Sequence, residues 1–241
     1  MSVPLAVLLA LGLAIALGAA VQSAVGFGLA VVAAPFVVLV EPSLMPGSIL
    51  VCGFFLPLWE LLRHQRDVDT RLLTSAYGMR LALTPIGAAL VVWAGAREIA
   101  LIVGVMILLV VAVSLTPLSV RATVPNALGA GAITGIAGTA ASIGGPFLAM
   151  VLQHERPERI RSTLAAFFVL GSFTSLAALS IVGELDRTQV GAGLLWVPFL
   201  ALGVWLGRPL RHVVSRDRMR RAVLTFCTVA SVVVIARAVL G

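Results

Sequence analysis

The sequence predicts an all-α polytopic membrane protein: two inverted repeats, each a broken or re-entrant helical pair followed by three transmembrane helices. Three observations predict it. The 241 residues are 60% hydrophobic and only 11% charged, against about 45–50% apolar and about 25% charged in a soluble domain. Two uncharged stretches are too long for a single crossing, and both carry glycine-rich interruptions. The arginines fall almost wholly on one side once both stretches are folded back. This composition excludes a water-soluble enzyme, a disordered chain and a nucleic-acid binder. The net charge of +7 does not reverse that, because the basic residues sit in short loops between apolar runs, where they set topology.

Taken in order, the elements follow from hydropathy and length. Met1 to Val40 holds no Lys or Arg, so the basic n-region of a removable signal is missing, and Val3–Val40 outruns an h-region. It is expected to belong to the mature fold. About 20 apolar residues cross a bilayer as a helix, whereas Val3–Val40 as one helix would reach about 57 Å at 1.5 Å per residue. It must therefore break, and Gln22-Ser23-Ala24-Val25-Gly26-Phe27-Gly28 supplies the break, leaving the arm Leu29–Val40. Spans Ser48–Leu62, Leu72–Trp93 and Ile99–Pro117 complete a first repeat over residues 1–120. The second repeat, 121–241, opens with uncharged Ala122–Gln153, broken at Gly138-Thr139-Ala140-Ala141-Ser142-Ile143-Gly144-Gly145-Pro146 before the helix-like run Phe147–Gln153. Spans Ser162–Val182, Gly191–Gly207 and Ala222–Leu240 follow. Trp59, Trp93 and Trp196 fall near span ends and read as interfacial anchors. Arg237, close to the end of the last span, is expected to snorkel.

Arginine placement tests the breaks. All 17 basic residues are arginine. If each long stretch goes in and comes back, thirteen loop arginines lie on one side: Arg63, Arg66, Arg71, Arg121, Arg156, Arg159, Arg161, Arg208, Arg211, Arg216, Arg218, Arg220 and Arg221. Only Arg97 and Arg187 lie on the other. Single crossings would give ten against five. The positive-inside rule therefore favours the folded-back topology, with both termini outside. The halves also match: Gly28 and Gly145, like Asp69 and Asp186, stand 117 residues apart, and Pro85 and Pro198 stand 113 apart. Five crossings per half is an odd number, so the second half would be inverted. Interrupted segments at matching places in inverted halves put a binding site between the interruptions in secondary transporters. The bland alternative is that the glycines only let helices pack closely.

Chemically, Pro146 sits where the first turn of a helix tolerates its missing N–H, so the arm after the second break should aim its N-terminus at the tip. Free N–H groups and the helix dipole attract an anion there. Gly26, Phe27 and Gly28 begin the first-half arm in the same way, and Gly144 and Gly145 allow close approach of a ligand. Thr139, Ser142 and Ser23 could add hydroxyls, and Gln22 an amide. Arg80, near the middle of Leu72–Trp93, is either a counter-charge for an anionic substrate or the partner of Glu60 or of helix carbonyls. Glu60 and His64 sit at the cytoplasmic rim, where either could carry a proton or simply stay solvated. The three histidines, His64, His154 and His212, all lie in arginine-rich loops. No enzyme, metal-ligand or nucleotide-binding motif occurs, so no catalytic residue, metal or cofactor is expected, and a primary ATP-driven pump is excluded. Cys52 and Cys227 lie inside apolar segments and predict no disulfide framework. The expected partners are a small anion and the lipid bilayer, no nucleic acid, with a homodimer left open.

The motifs carry a resemblance. Gln22-Ser23-Ala24-Val25-Gly26-Phe27-Gly28-Leu29-Ala30 with Ala34-Pro35 resembles the first repeat of the TauE/SafE sulfite-exporter family. Gly135-Ile136-Ala137-Gly138-Thr139 with Ile143-Gly144-Gly145-Pro146 resembles its second repeat. The loops Arg63–Asp69 and Arg156–Arg161 fall where such proteins carry basic connectors. The resemblance covers essentially the whole chain. It implies a permease of the bacterial inner membrane for a small anion such as sulfite, or a sulfonate such as sulfoacetate. It specifies neither substrate nor direction. Many members have a fuller glycine run where this chain has Gly26-Phe27-Gly28, so its two tips are chemically unequal.

Overall fold

The computed structural model describes residues 3–25, 28–64, 67–116, 120–213 and 216–240. Among them the chain is helical, with one 3-10 turn at Pro42–Leu44 and no strand. The first half contains α1 (Leu5–Val25), α2 (Leu29–Val40), α3 (Gly47–His64), α4 (Thr70–Trp93) and α5 (Ala96–Leu115). The second contains α6 (Val124–Ala140), α7 (Gly145–Val151), α8 (Pro157–Ile181), α9 (Arg187–Leu195), α10 (Val197–Val213) and α11 (Arg216–Leu240). Both long uncharged stretches are broken where their glycines predict, and the arm after the first break is Leu29–Val40 as expected.

Six helices are long and apolar enough to cross a membrane: Leu5–Ser23, Thr70–Trp93, Ala96–Leu115, Pro157–Ile181, Arg187–Gly207 and Arg221–Leu240. The chain is a multi-pass membrane protein. The set differs from the six expected spans in one member. The first arm of the broken pair qualifies by itself, at 21 residues or about 32 Å, so the pair is one full-length arm and one of 12 residues. The expected span Ser48–Leu62 does form a helix, α3, but its last two turns carry Glu60, Arg63 and His64, which lowers its hydropathy below the others.

The expected span Gly191–Gly207 lies within the set of six as part of Arg187–Gly207, interrupted by a single turn residue. It divides at Trp196 into α9 and α10. Pro198 explains the joint: it has no N–H for the carbonyl four residues back. The expectation for Trp196 also needs correction. It is fully buried, and its indole Nε1 donates to the Leu8 carbonyl at 2.8 Å, so it fastens the joint to α1 rather than marking an interface. Trp93 is 88% exposed and Trp59 half-exposed, as span-end anchors would be, and the Arg63 guanidinium lies 4.1 Å over the Trp59 ring. Arg237 keeps an exposed position and donates to the Leu39 carbonyl at 2.8 Å, which places a cation at the C-terminal end of α2, where the dipole favours one.

Packing crosses between the halves. α4 lies along α6 and α10 along α1, while α3 faces α8 and α5 faces α11. Small residues set the two closest pairs. A Cβ on Gly131 would meet the Ala76 carbonyl, and one on Gly135 would stand 2.7 Å from the Arg80 carbonyl. Across the α1–α10 pair, Gly203 lies on the Ala16 carbonyl and Gly207 on Ser23 and Ala20. Such stripes let backbones approach within a bilayer, where association rests on packing. The matched aspartates have matched jobs. Asp69 caps α4 by accepting from Leu72 N at 2.9 Å, and Asp186 caps α9 by accepting from Gln189 N at 2.7 Å.

Candidate functional site

The first break turns on Gly28, whose φ of 135° lies where only glycine is comfortable. Immediately after it α2 begins, and its leading Leu29 N–H donates to the Gln22 side-chain oxygen at 3.1 Å. Gln22 thus caps the arm with the oxygen of the amide expected at this tip. The second break turns on Ser142, a non-glycine residue held at φ 59°. Its hydroxyl donates to the Pro46 carbonyl at 2.9 Å, so the tip of the second half is tied to the residue that precedes α3. Gly144 and Gly145 follow, and Pro146 stands in the first turn of α7, as its missing N–H predicts.

Arg80 is only 3% exposed. The close approach of α4 to α6 delivers its side chain between Gly138, Gly144 and Gly171. A Cβ at Gly138 would stand 3.3 Å from Nη2, and one at Gly144 3.7 Å from Nη1. One at Gly171 would fall on the guanidinium itself. Phe167, Gly171 and Ser175 recur at i, i+4 and i+8 along α8, so they share one face and form a slot. The Phe167 ring centroid is 5.0 Å from the guanidinium carbon, within cation–π range. Nη2 donates to the Ser175 hydroxyl at 3.4 Å, and that hydroxyl shares a 2.8 Å hydrogen bond with Thr139. The Arg80 Nε has no partner. Arg159 pairs with Asp67 and with Glu155, and among the described residues that line the cavity with Arg80 there is no carboxylate.

Both tips and this cation meet in one cavity of about 60 Å³. Gln22, Gly28 and Arg80 line it, as do Ser142, Gly144, Gly145 and Pro146. Two of the expected residues stand elsewhere. Ser23 is turned toward Gly207 of α10, and Thr139 reaches Arg80 only through Ser175. Gly26 and Phe27 lie outside the described residues, as does Arg66. Sequence reasoning missed the contribution of α3 and α8: Gly53, Pro57, Phe168 and Ser172 also line the cavity, and Gly171 and Phe167 shape it from behind. The one signal for these was the helical spacing of Phe167, Gly171 and Ser175 on a span otherwise read as uniform.

The volume exceeds the room that one water needs and takes a small polyatomic ligand. One buried guanidinium, one amide, one hydroxyl tied to a carbonyl and several bare glycine backbones suit a small anion. No group of His, Cys, Asp or Glu able to hold a metal ion occurs among the described residues.

No curated protein and no solved structure matches the chain. The family model for the sulfite exporter TauE/SafE matches residues 10–234, nearly its whole length, and the chain belongs to this family of membrane transporters.

Proposed function

We propose that the chain is a secondary carrier of a small sulfur-containing anion, sulfite or an organosulfonate such as sulfoacetate, held between the two breaks with Arg80 as counter-charge. The observation that carries this reading is the buried Arg80 side chain, which borders the cavity with its Nε unpartnered and no carboxylate among the described lining residues. A buried arginine is expensive in a membrane and faces a partner or a water-filled cavity. An oxyanion bound beside it would offset that cost and use its planar fork. The Gly144–Pro146 backbone and the Gln22 amide would complete the cradle.

In this reading residues 1–120 and 121–241 are inverted repeats that rock about the cavity for alternating access, driven by a proton or substrate gradient. The exchanged packing supports it: with α9 and α10 counted as one span, each half's fourth element lies along the other half's long first arm, and the third and fifth elements pair with their counterparts. So do the two matched aspartate caps. The arginine distribution supports placement in a bacterial inner membrane with both termini outside.

Flux in proteoliposomes tests the reading. The wild-type protein should move labelled sulfite or sulfoacetate under an imposed proton or substrate gradient, and Arg80→Ala should abolish that flux while the protein stays folded. No flux of any anion would sink the transport reading in favour of a membrane scaffold. Flux of a neutral solute, or anion flux untouched by Arg80→Ala, would move the site or the substrate class.

A further inference from the structure

We infer that the site takes singly charged anions and excludes doubly charged ones, so that a diprotic oxyacid is carried as its hydrogen-anion and brings its own proton. The inference rests on the proposed reading of the cavity as an anion site and goes one step past it. Among the described residues lining the cavity, Arg80 is the only one that carries a charge. The other sources of positive potential are weak. The leading N–H of α2 is already committed to Gln22, and α7 has seven residues, under two turns, so little dipole accumulates along it. The cavity therefore offers one unit of positive charge.

Its walls are otherwise apolar or bare backbone, with Ile49, Leu50 and Phe168 among them. A monoanion beside Arg80 makes a neutral pair. A dianion leaves one negative charge uncompensated away from water, which burial opposes strongly. The volume of about 60 Å³ fits one oxyanion head with at most a short tail. Of the two proposed substrates, hydrogensulfite is therefore favoured over sulfoacetate, whose sulfonate and carboxylate are both ionised near neutrality.

Charge counting also bears on coupling. No ionisable side chain other than Arg80 lies on the described lining, and those on the surrounding helices are placed apart. Tyr77 is one turn before Arg80 on α4. α6 and α7 hold none, nor do α1 and α2. On α8, Glu158, Arg159 and Arg161 stand in the first two turns, well before Phe167. On α3 the Cys52 thiol is turned to the Gly193 carbonyl, and Glu60, Arg63 and His64 lie beyond Pro57 in the sequence. A proton bound to the substrate gives pH-dependent flux without a proton-carrying residue in the site.

The test is competition in proteoliposomes with equal pH on both sides. Labelled methanesulfonate, a monoanion at every pH used, is the reporter; unlabelled sulfite, whose second proton titrates near neutrality, and sulfate, a dianion throughout, compete. Wild-type protein and Glu60→Gln are compared. The expected result is a methanesulfonate flux inhibited negligibly by sulfate. The sulfite concentration for half-inhibition should rise about tenfold per pH unit on the alkaline side, following the hydrogensulfite fraction. Glu60→Gln should show the same slope. Inhibition by sulfite independent of pH, or by sulfate as strong as by methanesulfonate, overturns the inference and leaves the anion site standing. So does sulfite flux without methanesulfonate flux, or a slope that vanishes in Glu60→Gln. If no anion is carried or competes, the anion-site reading falls and this inference with it.

Discussion

Gly171→Ala places a methyl group on the Arg80 guanidinium, because the bare glycine backbone there is what gives the cation its slot. In an ordinary helix interior the same change would stabilise by about 0.5–1 kcal/mol. Here the added carbon would overlap Cζ and Nε, and relief requires the guanidinium to leave Phe167 and Ser175. Overpacking of this kind costs about 1–3 kcal/mol, so the sign should reverse. For ligand binding, a displaced Arg80 forfeits a charged hydrogen bond worth about 1.5–3 kcal/mol, which is about 10- to 150-fold in Kd. The assay is a double-mutant cycle with Arg80→Ala, read by thermal melting of the detergent-purified protein, with sulfite affinity measured on Gly171→Ala. Gly171→Ala should lower the melting temperature in the wild-type background and leave it unchanged or raise it when Arg80 is already alanine, since the space is then free. Equal costs in both backgrounds, or an unchanged Kd in the single variant, would refute the slot.

Three further outcomes follow from other contacts. Trp196→Phe removes the indole donor to the Leu8 carbonyl, which keeps its helical bond inside α1, and should cost about 0.5–1.5 kcal/mol of stability, read as a lower melting temperature; an unchanged melt would show that the joint needs no fastening. Ser142→Ala and Ser142→Gly both lose the bond to Pro46, but glycine relieves the left-handed φ of 59°. The glycine variant should therefore be the more stable of the two by about 1 kcal/mol, and the reverse order would remove the argument for strain at the tip. Ser43→Cys and Arg71→Cys, both at exposed positions, should be labelled by an impermeant thiol reagent from opposite faces, outside and inside respectively. The native Cys52 and Cys227 are buried and should give little background; same-side labelling would overturn the folded-back topology.

Length and charge made the breaks legible. A run from Val3 to Val40 could not be one span, and the glycines fixed where it turned, so the arm Leu29–Val40 emerges with the expected ends. Hydropathy reports depth along a helix and says little about which way a residue faces. Gln22 and Ser23 are neighbours at the same depth, yet about 100° of helical turn separates them; one lines the cavity and the other meets α10. The same blindness hid which glycines serve packing and which border the site. Gly203 and Gly207 carry α10 against α1, whereas Gly144 and Gly145 line the cavity. The Arg80 slot was out of reach for another reason: it is made by α8, roughly ninety residues away in sequence, and no local pattern encodes that meeting.

The single charge sharpens how a duplicated scaffold could hold one asymmetric site. Under the proposed repeat, the spacing of Pro85 and Pro198 sets Arg80 opposite Gly193, each five residues before its proline. Arg80 lies against Gly171 on α8, and Gly193 lies against Val51 and the Ser48 carbonyl on α3. The two positions thus face counterpart helices, with arginine meeting glycine on one side and glycine meeting valine on the other. Gly193 and its contacts Val51 and Ser48 lie off the described cavity lining, so only the Arg80 side brings a charge to the space. Glycine at both would leave an anion only backbone donors and two dipole ends, one of them already capped by Gln22. One arginine is the arrangement in which a monoanion neutralises the site and its departure restores a charge that must find a new partner. That makes the loaded and empty carriers electrostatically different at the position about which the halves would rock.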